Sequence, residues 1–201
     1  MHFMAAGNRC AVSLEALRLE ISSDEAINLL TKKGFKLIEV DIIGISRSLI
    51  GTAEYRRGAR PSEAPQVIDC SGLIKWVYSQ KGVWLPRRSI QQREFGTMVE
   101  PSNITAGDVV FASGRIDYYD FDPYNGVGHV GLATGDGTVV HAANRKVGII
   151  ESPIEEFLGN DHFRGVCRII PSDETICTFI SPPNRVVEYS DDFRWIILQN
   201  L

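Results

Sequence analysis

The chain has 201 residues, 44% of them apolar, with 21 Lys and Arg against 25 Asp and Glu. That apolar share supports one packed core of ordinary size with some further segments, and it excludes a disordered chain. A net charge of -4 lacks the long-range field that gathers phosphate backbones or anionic lipid, so neither nucleic acid nor a membrane surface is expected as a partner.

The opening stretch "MHFMAAGNRCAVSLEALRLE" carries Arg9, Glu15, Arg18 and Glu20 and never builds an apolar run of signal-peptide length. No later run reaches the roughly 18 apolar residues of a membrane span. The expected location is cytoplasmic, or the cell wall by a route that needs no signal peptide. From Ser22, "SSDEAINLLTKKG" predicts a helix: Ser22 and Glu25 have capping-box spacing, Lys32 and Lys33 suit the negative end of the helix dipole, and Gly34 can stop it. A second helix is predicted in "LIEVDIIGISRSLIG", from Val40, Ile43 and Leu49 or Ile50 at helical spacing, with Gly51 as its stop. "RRGARPSEAP" then reads as a loop.

In "QVIDCSGLIKWVYSQKG" a β-branched pair runs into a third helix, with Leu73, Ile74 and Val77 on one side and Gly82 beyond its end. After it the period changes. "GDVVFAS", "HVGLATG", "TVVHAA", "VGIIES" and "FRGVCRII" are short, β-branched and separated by Gly, Asp or Asn, as strands are. Helices followed by consecutive strands imply an α+β domain on a mostly antiparallel sheet of five or six strands. The predicted division is a helical N-terminal extension over residues 1–37, a main domain over 38–170, and a C-terminal appendage over 171–201 that packs back on the domain or on a partner and carries no chemistry.

The four cysteines, Cys10, Cys70, Cys167 and Cys177, form no CxxC and no zinc-finger spacing with histidine, so a structural metal is not expected. Three read as ordinary buried thiols. Cys70 differs, because it begins a helix directly after Asp69, where the helix N-terminus and a nearby imidazole would stabilise a thiolate. The imidazole is sought in "HVGLATGDGTVVH", which predicts a hairpin turning near Gly135-Asp136-Gly137. With an odd-length loop, residues of like parity share a face, so His129 and His141 point the same way, and Val130, Leu132, Val140 and Ala142 point to the opposite, apolar side. Two imidazoles on adjacent strands suit a base and the group that orients it.

"DCSGLIKWVYSQKGVWLPRRSIQQ", "AGDVVFA" and "GHVGLATGDGTVVHAA" together resemble the NlpC family of papain-like bacterial cell-wall cysteine peptidases, in the family's order and spacing from about residue 49 to 170. The resemblance implies a papain-like core and no cofactor. It implies Cys70 as nucleophile, His129 as general base and later acid, and His141 as the residue that sets the tilt and tautomer of His129. It further implies a peptidoglycan stem peptide or muropeptide as substrate, cut at the amide between γ-D-glutamate and diaminopimelate or lysine. Papain-like amidases, acyltransferases, antibacterial effectors and phage lysins use the same three residues and are the alternatives.

Around the cleft, Tyr55 stands about where the family has the tyrosine of Pro-Tyr-x-Trp-Gly-Gly, although "AEYRRGARP" lacks the proline, the tryptophan and the glycine pair. It is the candidate second oxyanion donor beside the N–H of Cys70. Asp69 and Ser71 match residues that receive the substrate's amino end in family members trimming free peptides, and Asp69 also suits a helix cap. Arg56, Arg57, Arg60, Arg87 and Arg88 are candidate clamps for substrate carboxylates, Arg88 foremost. "RIDYYDFDPYNGVG" reads as a cleft-edge loop presenting Tyr118, Tyr119 and Tyr124, since its acidic residues have the wrong register for calcium. His2 and His162 receive no role.

Overall fold

The computed structural model describes residues 2–201. In chain order the strands and α-helices of the first half are β1 (Arg9–Val12), α1 (Ser23–Lys32), β2 (Lys36–Ile38), α2 (Ile42–Ser48), β3 (Glu54–Tyr55), β4 (Val67–Ile68), α3 (Cys70–Gln80) and α4 (Ser89–Arg93). The second half contains β5 (Thr97–Met98), β6 (Val109–Ala112), β7 (His129–Ala133), β8 (Thr138–Asn144), β9 (Gly148–Pro153), α5 (Glu155–Leu158), β10 (Phe163–Arg168), β11 (Cys177–Ile180) and α6 (Asp192–Leu198). Two compact units divide the chain: residues 42–77 with 85–171, and the remainder, comprising residues up to 41, 78–84 and 172–201. No helix among the described residues is long and apolar enough to cross a membrane.

The larger unit is built on a six-stranded antiparallel sheet of order β5-β10-β6-β7-β8-β9. Its five longer strands are those the β-branched runs predict, and β5 is a two-residue edge too short to leave a periodic signal. Both faces of the sheet are buried. Val109, Phe111, Val130, Leu132, Val140 and Ala142 cover one face, while Val110, Ala112, Ala133, Val139 and Val166 cluster with Phe157 of α5 on the other. The near-continuous apolar runs of these strands follow from that two-sided burial.

At the strand start of β6, the carboxylate of Asp108 takes hydrogen bonds from Arg168 Nε at 2.8 Å, Arg168 Nη2 at 2.7 Å and the Thr105 N–H at 2.8 Å. Its side chain is 2% exposed, so the pair is one of ions withdrawn from water. Removing one partner of such a pair strands the other, a cost of about 3 kcal/mol. Asp108→Ala is therefore expected to destabilise this unit by about that much in urea unfolding. A loss below about 1 kcal/mol would contradict the assignment.

The smaller unit carries a three-stranded antiparallel sheet of order β1-β11-β2. Ser22 caps α1 with the reciprocal Glu25 bond, as the spacing predicts, and Phe35, Phe179 and Phe193 meet edge-on or tilted at centroid separations of 5.4 to 6.5 Å in its core. The N-terminal segment is thus not purely helical, because Arg9–Val12 and Lys36–Ile38 flank the tail strand β11. The second predicted helix likewise begins only at Ile42, since Lys36–Ile38 pairs with β11 instead. Strands of three or four residues whose partner lies some 140 to 170 residues away have no local signature. The tail after Pro171 supplies the middle strand of this sheet and the buried face of α6, through Phe193, Ile196 and Ile197.

Candidate active site

Asp69 caps α3 and places Cys70 at its first turn. Asp69 Oδ1 accepts from the Gly72 N–H at 2.8 Å, and the Leu73 N–H donates to the Asp69 carbonyl at 2.8 Å. The rest of the Asp69 carboxylate is also spoken for. Arg87 grips it in a fork, at 2.9 Å to Oδ1 and 2.6 Å to Oδ2, and the Gly58 N–H donates to Oδ2 at 2.8 Å. Arg87 donates as well to Ser71 Oγ at 2.9 Å. Asp69 and Ser71 are therefore buried and tied into one network that fixes the helix start, with Arg87 spent on it.

Cys70 is half-buried, and its Sγ lies within hydrogen-bonding reach of the N–H groups of Ser71 and Val130. Val130 belongs to β7, so this contact joins the helix start to the strand that carries His129. Burial pushes the Cys70 thiol up to about 11, with the Asp69 carboxylate adding to the rise and the two N–H groups and Arg87 opposing it. The resting group is a thiol. The helix start favours the anion, as its position predicts, but loss of water around the sulfur outweighs it.

His129 and His141 share a face, as the register Leu132 with Val140 requires. His129 Nε2 lies 2.8 Å from His141 Nδ1, and His141 Nε2 lies 3.2 Å from Ser152 Oγ. Phe157 of α5 stacks on His129 at 5.5 Å and meets His141 edge-on at 4.9 Å. The face that carries the imidazoles is thus itself apolar, not only the opposite one as the alternation suggested. Burial pulls both histidines down to about 4, helped at His129 by the neighbouring His141, so both rings are neutral at pH 7. Gly131 leaves room for them, since a Cβ there would lie 2.3 Å from Val139 and 3.1 Å from His141.

A cleft of about 380 Å³ opens over Cys70, Asp69 and Ser71, with Tyr55, Arg88 and Tyr118 on its rim. An adjoining groove of about 720 Å³ is lined in part by His129 and His141, and Tyr55, Arg57 and Gly128 border both. Tyr55 sits at the end of the parallel pair β3 and β4, half-buried, and burial raises its hydroxyl pKa, with the Asp69 carboxylate adding to the rise. Arg88 lies over the Tyr118 ring at 5.4 Å. Among the other candidate clamps, Arg56 is paired with Glu63, whereas Arg57 and Arg60 line the cleft.

Ser152 and Phe157 escape sequence reasoning. Ser152 pairs with Val139 and so lies on the face of His141, a position readable only once the register of β8 and β9 is known. Phe157 comes from a four-residue helix beyond the strands.

The NlpC/P60 family profile matches residues 52–168, which contain every site residue named above. A probable endopeptidase of Corynebacterium glutamicum is 38% identical over 114 residues, covering 57% of this chain and 47% of the relative. A gamma-DL-glutamyl hydrolase of Bacillus subtilis is 34% identical over 106 residues, covering 52% of this chain and 23% of that protein. This chain thus spans less than half the length of these curated relatives. Among solved structures, the peptidoglycan hydrolase RipB of Mycobacterium tuberculosis superposes with a TM-score of 0.50 at 23% identity, covering 75% of this chain and 69% of RipB, which is agreement in fold. By the match over residues 52–168, which takes in the Cys70 helix and the sheet that carries both histidines, this chain belongs to the NlpC/P60 family.

Proposed function

We propose that the protein is a cysteine peptidase that hydrolyses the γ-D-glutamyl–diaminopimelate or γ-D-glutamyl–lysine amide of peptidoglycan stem peptides through a thioacyl-enzyme on Cys70. The observation that carries this reading is the hydrogen-bonded series His129, His141, Ser152 on the sheet, beside a Cys70 Sγ that reaches the N–H of Val130, the residue next to His129. The kinship with endopeptidases and with a gamma-DL-glutamyl hydrolase supports the bond class.

One tautomer of the series leaves a free base facing the cleft side. With Ser152 Oγ accepting from His141 Nε2–H, His141 Nδ1 is bare and accepts from His129 Nε2–H, which leaves His129 Nδ1 as the free basic nitrogen. Cys70 attacks the carbonyl carbon as its proton passes to His129 Nδ1. The oxyanion is met by the Cys70 N–H, one of the first-turn donors for which α3 has no internal acceptor, and by the Tyr55 hydroxyl. Collapse breaks the C–N bond as the imidazolium returns its proton to the leaving amine. Water then adds to the thioester with His129 again as base, and the thiol is restored. Ser152 acts through His141 and is a positioning residue.

Catalysis needs neutral His129, so protonation removes the base. Activity rises as pH climbs through about 4 and is full by pH 6, instead of rising through the ordinary imidazole range. A profile of kcat/KM against pH with its acid limb at 6.5 or above would contradict the buried, neutral pair.

Purified sacculi and free tetrapeptide, digested separately and weighed by mass spectrometry, test the bond. The reading predicts fragments ending in D-glutamate. Cleavage at the muramoyl–alanine bond, or of neither substrate, would overturn it.

A further inference from the structure

The long segment between β6 and β7 is pinned at its base and along one side, yet it turns its aromatic side chains to solvent. The Gly114 N–H donates to Asp117 Oδ1 at 2.6 Å, and Tyr118 and Val127 exchange backbone hydrogen bonds at 2.9 and 3.0 Å. Arg93 of α4 donates to the carbonyl and the side-chain oxygen of Asn125 at 3.0 and 2.9 Å. Between these ties Phe121 is 98% exposed and Tyr124 89%, and Tyr119 is half exposed. Of the tyrosines expected at the cleft edge, Tyr118 alone lines the cleft. Tyr119 lies instead at a separate dimple of about 170 Å³, which it walls together with Phe121. Large aromatic side chains left bare on a tip of fixed shape mark a surface that a partner covers.

The groups around the dimple select its occupant. Residues 116–125 include three aspartates and no Lys or Arg, so the tip repels phosphate backbones and anionic lipid. Glu94, Asp120 and Asp122 supply acceptors at the dimple, and Arg93 and Asn125 bring donors, around rings that present flat apolar faces. That combination matches a neutral sugar, whose C–H face packs on the negative face of an aromatic ring while its hydroxyls give and take hydrogen bonds at the rim. Cleft and dimple are neighbours along the same two segments: Arg88 and Tyr118 line the first, Ile90 and Tyr119 the second. The acyl half of a stem peptide stays bonded to Cys70 during turnover, and its alanine is the residue that a muramoyl sugar carries. We propose that the tip formed by Tyr119, Asp120, Phe121, Asp122 and Asn125 binds an N-acetylhexosamine unit of the glycan to which the stem peptide is attached, so that the enzyme cuts glycan-linked stem peptide faster than free peptide. This inference rests on the peptidoglycan reading of the Cys70 site and adds a point of attachment outside the cleft.

The test compares free L-Ala-γ-D-Glu-diaminopimelyl-D-Ala with the same peptide carried on the N-acetylglucosaminyl–N-acetylmuramoyl disaccharide, in the wild type, in Phe121→Ala, and in the double variant Tyr119→Ala with Phe121→Ala. The wild type is expected to favour the disaccharide-linked peptide by about tenfold in kcat/KM, the weight of two stacked rings. Phe121→Ala, at a side chain almost wholly in solvent, leaves cleavage of the free peptide unchanged and shrinks the preference, and the double variant abolishes it. A ratio of one or below in the wild type, or a preference that the substitutions leave unmoved, overturns the proposal. A second arm needs no turnover: Cys70→Ala protein titrated calorimetrically with the β-1,4-linked tetramer of N-acetylglucosamine, and separately with tetralysine. Binding of the sugar that disappears when Phe121→Ala is added supports the proposal even if no peptide is cut, in which case the hydrolase reading alone fails. Binding of tetralysine without the sugar, or of neither, overturns the proposal whatever the cleavage result.

Discussion

Cys70→Ala is expected to lower hydrolysis of a γ-D-glutamyl-diaminopimelate tetrapeptide by at least about 10⁴-fold, since no other thiol lines the cleft. Folding should hardly notice. Asp69 caps α3 through its own carboxylate and backbone, and Arg87 braces that cap without touching the sulfur, so the helix start survives the loss. Thermal unfolding with unchanged midpoint beside abolished turnover is the predicted result, measured by circular dichroism and a product assay. Cys10, Cys167 and Cys177 offer no substitute: burial raises the pKa of each, and none lines the cleft. Substantial residual turnover in Cys70→Ala would mean the chemistry lies elsewhere.

His129→Ala removes the proton acceptor and is expected to cost about 10³-fold in kcat, the usual weight of a positioned base. Because the resting thiol lies near 11, the loss should be strongly pH-dependent. Without the base, rate depends on the small thiolate fraction and rises tenfold per pH unit across the neutral range, whereas the wild type is flat there. His141→Ala should cost less than His129→Ala, because His129 keeps its bare nitrogen but loses the acceptor that holds its other N–H. A flat profile for His129→Ala would argue that another group takes the proton.

What the sequence made legible follows period and adjacency. The capping spacing of Ser22 and Glu25, the β-branched runs of the main sheet and the shared parity of His129 and His141 are all local patterns, and each is realised. What it hid is set at a distance. The β1-β11-β2 sheet joins strands from opposite ends of the chain, and none of the three is long enough to show its period. Ser152 reaches His141 only through the register of β8 with β9, and Phe157 covers both imidazoles from the short helix that follows. The protonation of Cys70 is hidden for the same reason: a helix start is visible in Asp-Cys-Ser-Gly, but the desolvation that outweighs it is summed over segments far apart in sequence.

The covalent intermediate is the most direct witness. Protein mixed with the tetrapeptide L-Ala-γ-D-Glu-diaminopimelyl-D-Ala, quenched in acid within a single turnover and weighed intact, should gain the mass of an L-alanyl-γ-D-glutamyl acyl group, and peptide mapping should locate it on Cys70. An unmodified protein throughout turnover, or an adduct on Cys10, Cys167 or Cys177, would contradict the account.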